Sequence, residues 1–215
     1  DRAFISDGLS GSLRVLDRTG QLLAQVALAG RFLGNAELHM VGDSLLAYDR
    51  VLGRIVVFDV SGEQPALVSD RPAALCEAYD IADFYSGAVN AKARFVEDGD
   101  DLFLFCPKDA SGAAWLMQLD DTFETAELTG LPAATYSSAA VRDGRVALSS
   151  FDNNRYTSTL RSVEIGSGKV LAETTFTGHI NAVLHAGQSL FAVDGDFGLR
   201  QMDTLLGGQS VRAID

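Results

Sequence analysis

Hydrophobic and polar residues alternate along most of the chain. Short apolar runs show the two-residue period of β-strands, as at Leu13 and Val15 or at Val56 and Phe58. Turns rich in Gly, Asn and Asp separate these runs, and the 3.6-residue period of a helix is weak nearly everywhere. The pattern predicts an all-β protein.

Five segments of the chain share one order of features. Each has an apolar strand that ends in Asp, a polar turn, a second alternating strand that ends in an acid, and another turn. The five final acids lie 42, 61, 44 and 39 residues apart: Asp17, Asp59, Asp120, Glu164 and Asp203. A further strand is predicted upstream of four of these pairs and downstream of each. Four antiparallel strands in a unit of about 40–45 residues form the blade of a β-propeller.

Two of the segments resemble the repeats of a known group of proteins. They read "FISDGLSGSLRVLDRTGQLLAQV" and "LAYDRVLGRIVVFDVSGE". This order of apolar strand, Asp, short turn, second strand ending in Asp and Gly turn is similar to the NHL and YVTN families of propeller repeats. The resemblance implies the fold and leaves the function open, because propellers have many unrelated functions.

The repeat predicts a single β-propeller domain over residues 1–215 with about five four-stranded blades. We place the blades at about 1–30, 31–70, 91–131, 133–177 and 178–215. The first unit begins directly at its second strand, so we expect the first blade to be incomplete. Three explanations are open: an atypical closing blade in a five-bladed ring, a larger ring with an upstream part outside this chain, or an open array completed by a partner.

The one long interval contains an insertion at residues 71–90, "RPAALCEAYDIADFYSGAVN". Leu75, Tyr79 and Ala82 are spaced for one face of a short helix that begins after Pro72, so a helix is predicted near 72–90. Loops on a rigid scaffold often carry binding residues. The insertion has three candidate aromatic anchors for a partner: Tyr79, Phe84 and Tyr85. The alternative is that the helix covers a blade edge.

Four short polar residues each open an innermost strand in the pattern N/S-A-x-(L/A). These residues are Asn35, Asn90, Ser138 and Asn181. The pattern predicts a polar ring at the mouth of the central channel, where it would hydrogen-bond a small ligand or ordered water. The alternative is that such residues only begin strands after turns.

The phrase N-A-x-L-H occurs twice and places His39 and His185 four residues after an asparagine. Together with Asp49 and Asp194, which end second strands, these histidines are candidate metal ligands for zinc or calcium. Inherited repeat sequence explains the histidines equally well, and Asp is favoured before turns for its hydrogen bonds. We therefore expect no cofactor and keep Ca²⁺ or Zn²⁺ as the alternative.

Composition excludes several classes of partner. With 17 Lys and Arg against 29 Asp and Glu the formal net charge is −12, which disfavours nucleic acid and anionic membrane surfaces. No apolar run is long enough to span a membrane, so no membrane insertion is expected.

The chain has two cysteines, Cys76 and Cys106. They form either a disulfide of a periplasmic or secreted protein or two buried thiols. The first residues, "DRAFISDGLSG", contain neither the charged nor the apolar region of a targeting segment, so we expect any such segment to have been removed. We expect a periplasmic or secreted location and keep the cytoplasm as the alternative.

The catalytic motifs G-x-S-x-G, H-E-x-x-H and the Walker loop are absent from the sequence. We therefore assign no catalytic residue and predict a non-catalytic propeller that binds a protein or a small ligand on the face carrying the insertion. The alternative is a metal-dependent propeller enzyme, similar to lactonases or lyases, with Ca²⁺ or Zn²⁺ at the central channel. A third possibility is a subunit of a larger assembly.

Overall fold

The computed structural model describes residues 2–7, 11–27, 36–49, 53–73, 76, 93–107, 111–195, 198–208 and 210–212. This part of the chain contains strands and turns and no helix. The strands are β1 (Arg2–Asp7), β2 (Ser12–Asp17), β3 (Leu22–Ala27), β4 (Glu37–Val41), β5 (Ser44–Asp49), β6 (Arg54–Asp59), β7 (Ala66–Pro72), β8 (Arg94–Asp98), β9 (Asp101–Cys106), β10 (Ala114–Leu119), β11 (Thr125–Leu131), β12 (Tyr136–Arg142), β13 (Arg145–Asp152), β14 (Thr157–Glu164), β15 (Val170–Thr177), β16 (Ile180–Ala186), β17 (Ser189–Asp194), β18 (Gly198–Asp203) and β19 (Ser210–Arg212).

The strands form five sheets in chain order, in which each strand pairs with the next one along the chain. The first sheet contains β1–β3, and the others contain β4–β7, β8–β11, β12–β15 and β16–β19. Because two-residue turns connect many of the strands, neighbouring strands run antiparallel. The all-β prediction is confirmed, and five sheets agree with about five blades.

The first sheet has three strands among the described residues, as the sequence predicted. Its β1 corresponds to the second strand of the other sheets, because Asp7 ends β1 as Asp49 ends β5. The difference is visible in burial: Ile5 of β1 is 45% exposed, whereas Leu45 and Leu46 of β5 are buried.

Hydrophobic cores lie between the first and second sheets, between the third and fourth, and between the fourth and fifth. Strand β13 shows why, since its consecutive side chains point to opposite faces. Val146 and Leu148 pack with residues of the third sheet, including Phe105, whereas Ala147 packs with residues of the fifth sheet, including Leu190. A strand buried on both faces is therefore apolar at consecutive positions rather than alternating.

By their contacts, the residues divide into two compact units. One contains Asp1–Ala88 with Ala93–Phe95, and the other contains Val89–Lys92 with Val96–Asp215. The first unit has a core around Leu13, Val56 and Phe58. The prediction of one domain over residues 1–215 stays a prediction.

The acids that end the third strands organise the following turns. Asp17 Oδ1 accepts hydrogen bonds from the backbone N–H groups of Thr19 and Gln21, at 2.7 and 2.9 Å. Asp120 Oδ1 accepts the equivalent bonds from Thr122 and Glu124. These bonds satisfy the turn amides and explain the aspartate at this position in both repeats.

The outermost strands of the first four sheets each carry a β-bulge near their beginning. One residue on each strand has no partner in the neighbouring ladder: Leu23, Val68, Ala126 and Leu171. Bulges twist an edge strand and reduce its capacity to pair with another chain.

The insertion lies between β7 and β8. The predicted helix and all three aromatic anchors, Tyr79, Phe84 and Tyr85, lie outside the described residues. Strand β7 continues through Pro72, and the Ala73 amide donates a 2.7 Å hydrogen bond to the Gly53 carbonyl. Cys76 and Cys106 are disulfide-bonded. No helix among the described residues is long and apolar enough to cross a membrane.

Candidate functional site

The structure describes six of the predicted site residues: Ser138, Asn181, His39, His185, Asp49 and Asp194. Asn35 and Asn90 of the predicted polar ring lie outside the described residues. The ring as a whole therefore stays a prediction, and its two described members are examined first.

Ser138 and Asn181 do not occupy equivalent positions. Strand β12 has a bulge between Tyr136 and Ser138, and β16 has one between Ile180 and Ala182, so the residue equivalent to Asn181 is Ser137. Asn181 is exposed, and its side-chain nitrogen lies close to Gly195, where a Cβ would approach it to 2.8 Å.

Ser138 is fully buried and has a structural role instead. Its Oγ accepts a 3.1 Å hydrogen bond from the Val183 amide, and the neighbouring Ser137 Oγ lies 3.2 Å from the Ile180 carbonyl oxygen, to which it donates. Both bonds connect β12 to β16. Ser138 thus joins two sheets, and its hydroxyl is buried rather than exposed to a ligand.

His39 and His185 also differ in position, although both follow N-A-x-L. The hairpin after His39 closes with the pair Val41 and Ser44, two residues further on, whereas the hairpin after His185 closes one residue further on. Since successive residues of a strand point to opposite faces, the two histidines point to opposite faces of their sheets. The equivalence inferred from the sequence was wrong by one residue. His39 packs against Phe95, with 5.6 Å between ring centroids.

The two candidate acids are buried at the ends of second strands. Asp194 forms an ion pair with Arg200, whose Nη2 and Nε lie 2.7 and 2.8 Å from Asp194 Oδ2. Along its ladder Asp194 is opposite Ile180, five positions from His185. At about 3.3 Å per residue this separation is too long for shared metal ligands.

Among the described residues no group of three or more His, Cys, Asp and Glu side chains is placed to hold a metal ion. The metal alternative also involved Asn35 and Asn90, which this result does not cover. It stays a prediction, and elemental analysis of the purified protein is its direct test.

The structure places three strand ends of the second unit around one cavity of about 230 Å³. Its walls are the ends of β8, β12 and β16 next to their hairpin turns, and we call it the hairpin cavity. The lining residues are Val96, Glu97, Asp98, Gly99, Ala139, Ala140, Val141, Arg142, Val183, Leu184 and His185.

The hairpin cavity contains opposite charges that are only loosely paired. Arg142 Nε lies 3.9 Å from Asp98 Oδ1 and 3.6 Å from Asp143 Oδ1, beyond ordinary hydrogen-bond distance. Arg142 Nε is buried and makes no hydrogen bond to another described residue. The cavity therefore offers the Arg142 guanidinium and the Asp98 carboxylate, which lie too far apart for a hydrogen bond between Nε and Oδ1.

His185 is half-buried in the same wall. Burial lowers the pKa of its imidazole below 6.5, and the nearby positive charge of Arg142 lowers the pKa further. The Ser189 backbone is close enough to oppose this shift, but neither ring nitrogen makes a hydrogen bond of ordinary geometry among the described residues. The lowered pKa favours the neutral form of the ring at pH 7.

Asp98 and Arg142 were not among the predicted site residues. Both are the last residues of first strands, immediately before hairpin turns, and His185 is next to last in its strand. Aligning the repeats on these turns, "EDGDD", "RDGR" and "HAGQS", would have brought the three together.

Comparison with solved structures gives the fold. BamB from Moraxella catarrhalis has a TM-score of 0.60 and 16% identity over 97% of this chain and 60% of its own. The Pan2 WD40 domain of Neurospora crassa has a TM-score of 0.63 and 11% identity over 96% and 60%. The Dos1 propeller has a TM-score of 0.59 and 13% identity over 94% and 52%. The chain has a β-propeller fold.

The solved structures show the fold but do not assign the chain to a family. No family model and no curated protein matches the chain, so the resemblance to NHL and YVTN repeats stays a prediction. The chain spans about three fifths or less of the three solved structures. The five sheets correspond to about five propeller blades.

Proposed function

We propose that this chain is a non-catalytic β-propeller that binds a protein partner through the insertion. The observation that carries the proposal is the length of the connection between the second and third blades. Twenty-one residues separate Pro72 from Arg94, whereas four separate Leu131 from Tyr136 and two separate Thr177 from Ile180. The extra length is not needed to connect blades.

The strand that precedes the insertion is held in its blade by strand pairing and by an ion pair. Strand β7 is paired along its length with β6, and the Arg54 Nε lies 2.5 Å from Asp70 Oδ1. Binding residues are commonly placed on such loops because the scaffold tolerates changes in them. Aromatic side chains contribute most of the binding energy in many interfaces.

A small-molecule ligand on the same face is the alternative within this proposal. A protein partner and a small-molecule ligand differ in the surface area that they bury, because a stable protein interface buries about 800 Å² on each partner. The three aromatic residues span only seven positions of the sequence, Tyr79 to Tyr85. Further contacts from the rest of the insertion would be required for a protein partner.

We also propose a periplasmic or secreted location. The supporting observation is that Cys76 and Cys106 are disulfide-bonded, since disulfides persist mainly in oxidising compartments. Rapid acid quenching of cells followed by thiol alkylation should leave both cysteines unlabelled until a reductant is added. Labelling of both without reductant would contradict this location.

The partner site is tested by substitution of the aromatic anchors. Chemical crosslinking in the source organism followed by mass spectrometry identifies the candidate partner, which is then purified. The triple variant Tyr79→Ala, Phe84→Ala, Tyr85→Ala should bind it at least about 100-fold more weakly in calorimetric titrations. The control Arg155→Ala, in an exposed turn of the fourth blade, should bind normally. Equal affinity of the triple variant and the control would overturn the proposal.

A further inference from the structure

The hairpin cavity has a cation that the fold leaves without a close partner. The Arg142 side chain is 36% exposed, and the only carboxylate oxygens near its Nε among the described residues are the long contacts to Asp98 and Asp143. A guanidinium has five N–H donors in a planar arrangement that matches a carboxylate. Arg142 is therefore available to an external carboxylate.

The rest of the wall opposes a simple anion. Asp98 lines the cavity beside Arg142, so the described lining presents a charge of each sign. An anion paired with Arg142 would be repelled by the Asp98 carboxylate. A simple cation would bind Asp98 but be repelled by Arg142. Only a molecule with both charges suits both walls.

The size and the remaining lining limit the ligand further. A volume of about 230 Å³ corresponds to roughly seven water molecules. Val96, Ala139 and Val183 supply apolar surface beside the charged groups, which is compatible with a short aliphatic side chain. The lining thus combines a charge of each sign with a small apolar wall.

We infer that the hairpin cavity binds a small zwitterion of the α-amino acid class, with its carboxylate on Arg142 and its ammonium on Asp98. This inference goes beyond the function proposed above, because the described lining of the cavity consists of strand ends of the third, fourth and fifth blades. Loss of partner binding and loss of zwitterion binding are thus separate outcomes.

Calorimetric titration of the full chain with glycine, alanine and valine up to about 10 mM tests the inference. Propionate and propylamine serve as matched compounds that each keep one charge of an amino acid. At least one amino acid should bind, and the single-charge compounds should bind at least about tenfold more weakly, because each loses one charged contact. Absence of binding by all three amino acids, or equal binding by propionate, would overturn the inference.

Two substitutions locate the contacts. Arg142→Gln should weaken amino acid binding at least about tenfold, and Arg142→Lys should retain part of it. The control Arg155→Gln changes an arginine that is 82% exposed and outside the cavity, and it should bind as the parent does. Unchanged affinity of Arg142→Gln would contradict the assignment.

Asp98→Asn gives a readout that a loss of folding cannot imitate. Removing the carboxylate should weaken alanine binding while improving propionate binding, so that the discrimination between the two compounds shrinks. Asp100→Asn changes an exposed acid in the same hairpin and should leave the discrimination as it is. A variant that loses both compounds in proportion, with an unchanged melting curve, would place the ammonium elsewhere.

Discussion

Two ion pairs occupy equivalent repeat positions in the first and fifth blades. Each joins the last residue of a second strand to the third residue of the following strand: Asp7 with Arg14, and Asp194 with Arg200. Their surroundings differ, because the Asp194 side chain is fully buried and Arg14 is 44% exposed. The Arg200 guanidinium also lies 4.6 Å from the centre of the Phe176 ring.

This difference predicts unequal effects of removing the arginine. Arg200→Ala leaves a buried carboxylate without its partner and should lower the free energy of unfolding by about 3–5 kcal/mol. Arg14→Ala should lower it by at most about 1 kcal/mol, since exposed pairs contribute little. Urea denaturation of both variants measures the difference. Similar losses in the two variants would show that burial does not decide the value of the pair.

His185 predicts a dependence of stability on pH. Its pKa in the folded state is lowered by burial and by Arg142, so the unfolded chain binds the proton more readily. The stability contributed by the neutral ring is present above pH 6.5. It is lost as the pH falls from 6.5 towards the lower pKa of the folded state.

Urea denaturation between pH 7.5 and 5 should therefore show a falling midpoint in the parent, with a flatter profile in His185→Gln. Profiles of identical slope would mean that His185 titrates alike in the folded and unfolded chains.

At the scale of elements, β12 and β16 are joined by the hydroxyl groups of adjacent serines. Ser138→Ala removes the acceptor of the buried Val183 amide and should lower the free energy of unfolding by about 1–3 kcal/mol. Ser150→Ala is the matched control, because its hydroxyl makes only long contacts of 3.4 Å, and it should cost less. Chemical denaturation that ranks the control as more costly would contradict this role of Ser138.

Most strands could be predicted from the sequence because each has an apolar alternation between turn residues. The predicted strands "NAVLHA" and "VLAETTF" coincide with β16 and β15 within one or two residues. The incomplete first blade was also predictable, since "AFIS" has the pattern of a second strand.

The candidate site was less predictable, because one additional residue between a side chain and the hairpin turn reverses the face to which that side chain points. "HMVGDSL" and "HAGQSL" differ by one residue between His and Ser, and this difference reverses the face of the histidine. Asp98 and Arg142 are 44 residues apart in the sequence and meet only because their strands lie side by side, which no local pattern shows.

At the scale of the whole molecule, one covalent link constrains the unfolded chain. The Cys76–Cys106 disulfide closes a loop of about 30 residues that includes most of the insertion. Loop-closure entropy predicts that reduction lowers the free energy of unfolding by roughly 3–4 kcal/mol. Thermal melts with and without a reductant measure this loss. An unchanged melting temperature would show that the link does not constrain the unfolded state.

The account rests on a division between a β-propeller scaffold and an insertion that binds the partner. A variant in which about six Gly and Ser residues replace residues 77–91 tests this division and keeps Cys76 for its disulfide. It should retain a cooperative unfolding transition with a β-sheet circular dichroism spectrum. In calorimetric titration with the purified partner, we predict at least about a 100-fold loss of affinity. A folded variant that binds the partner as tightly as the full chain would contradict the central claim.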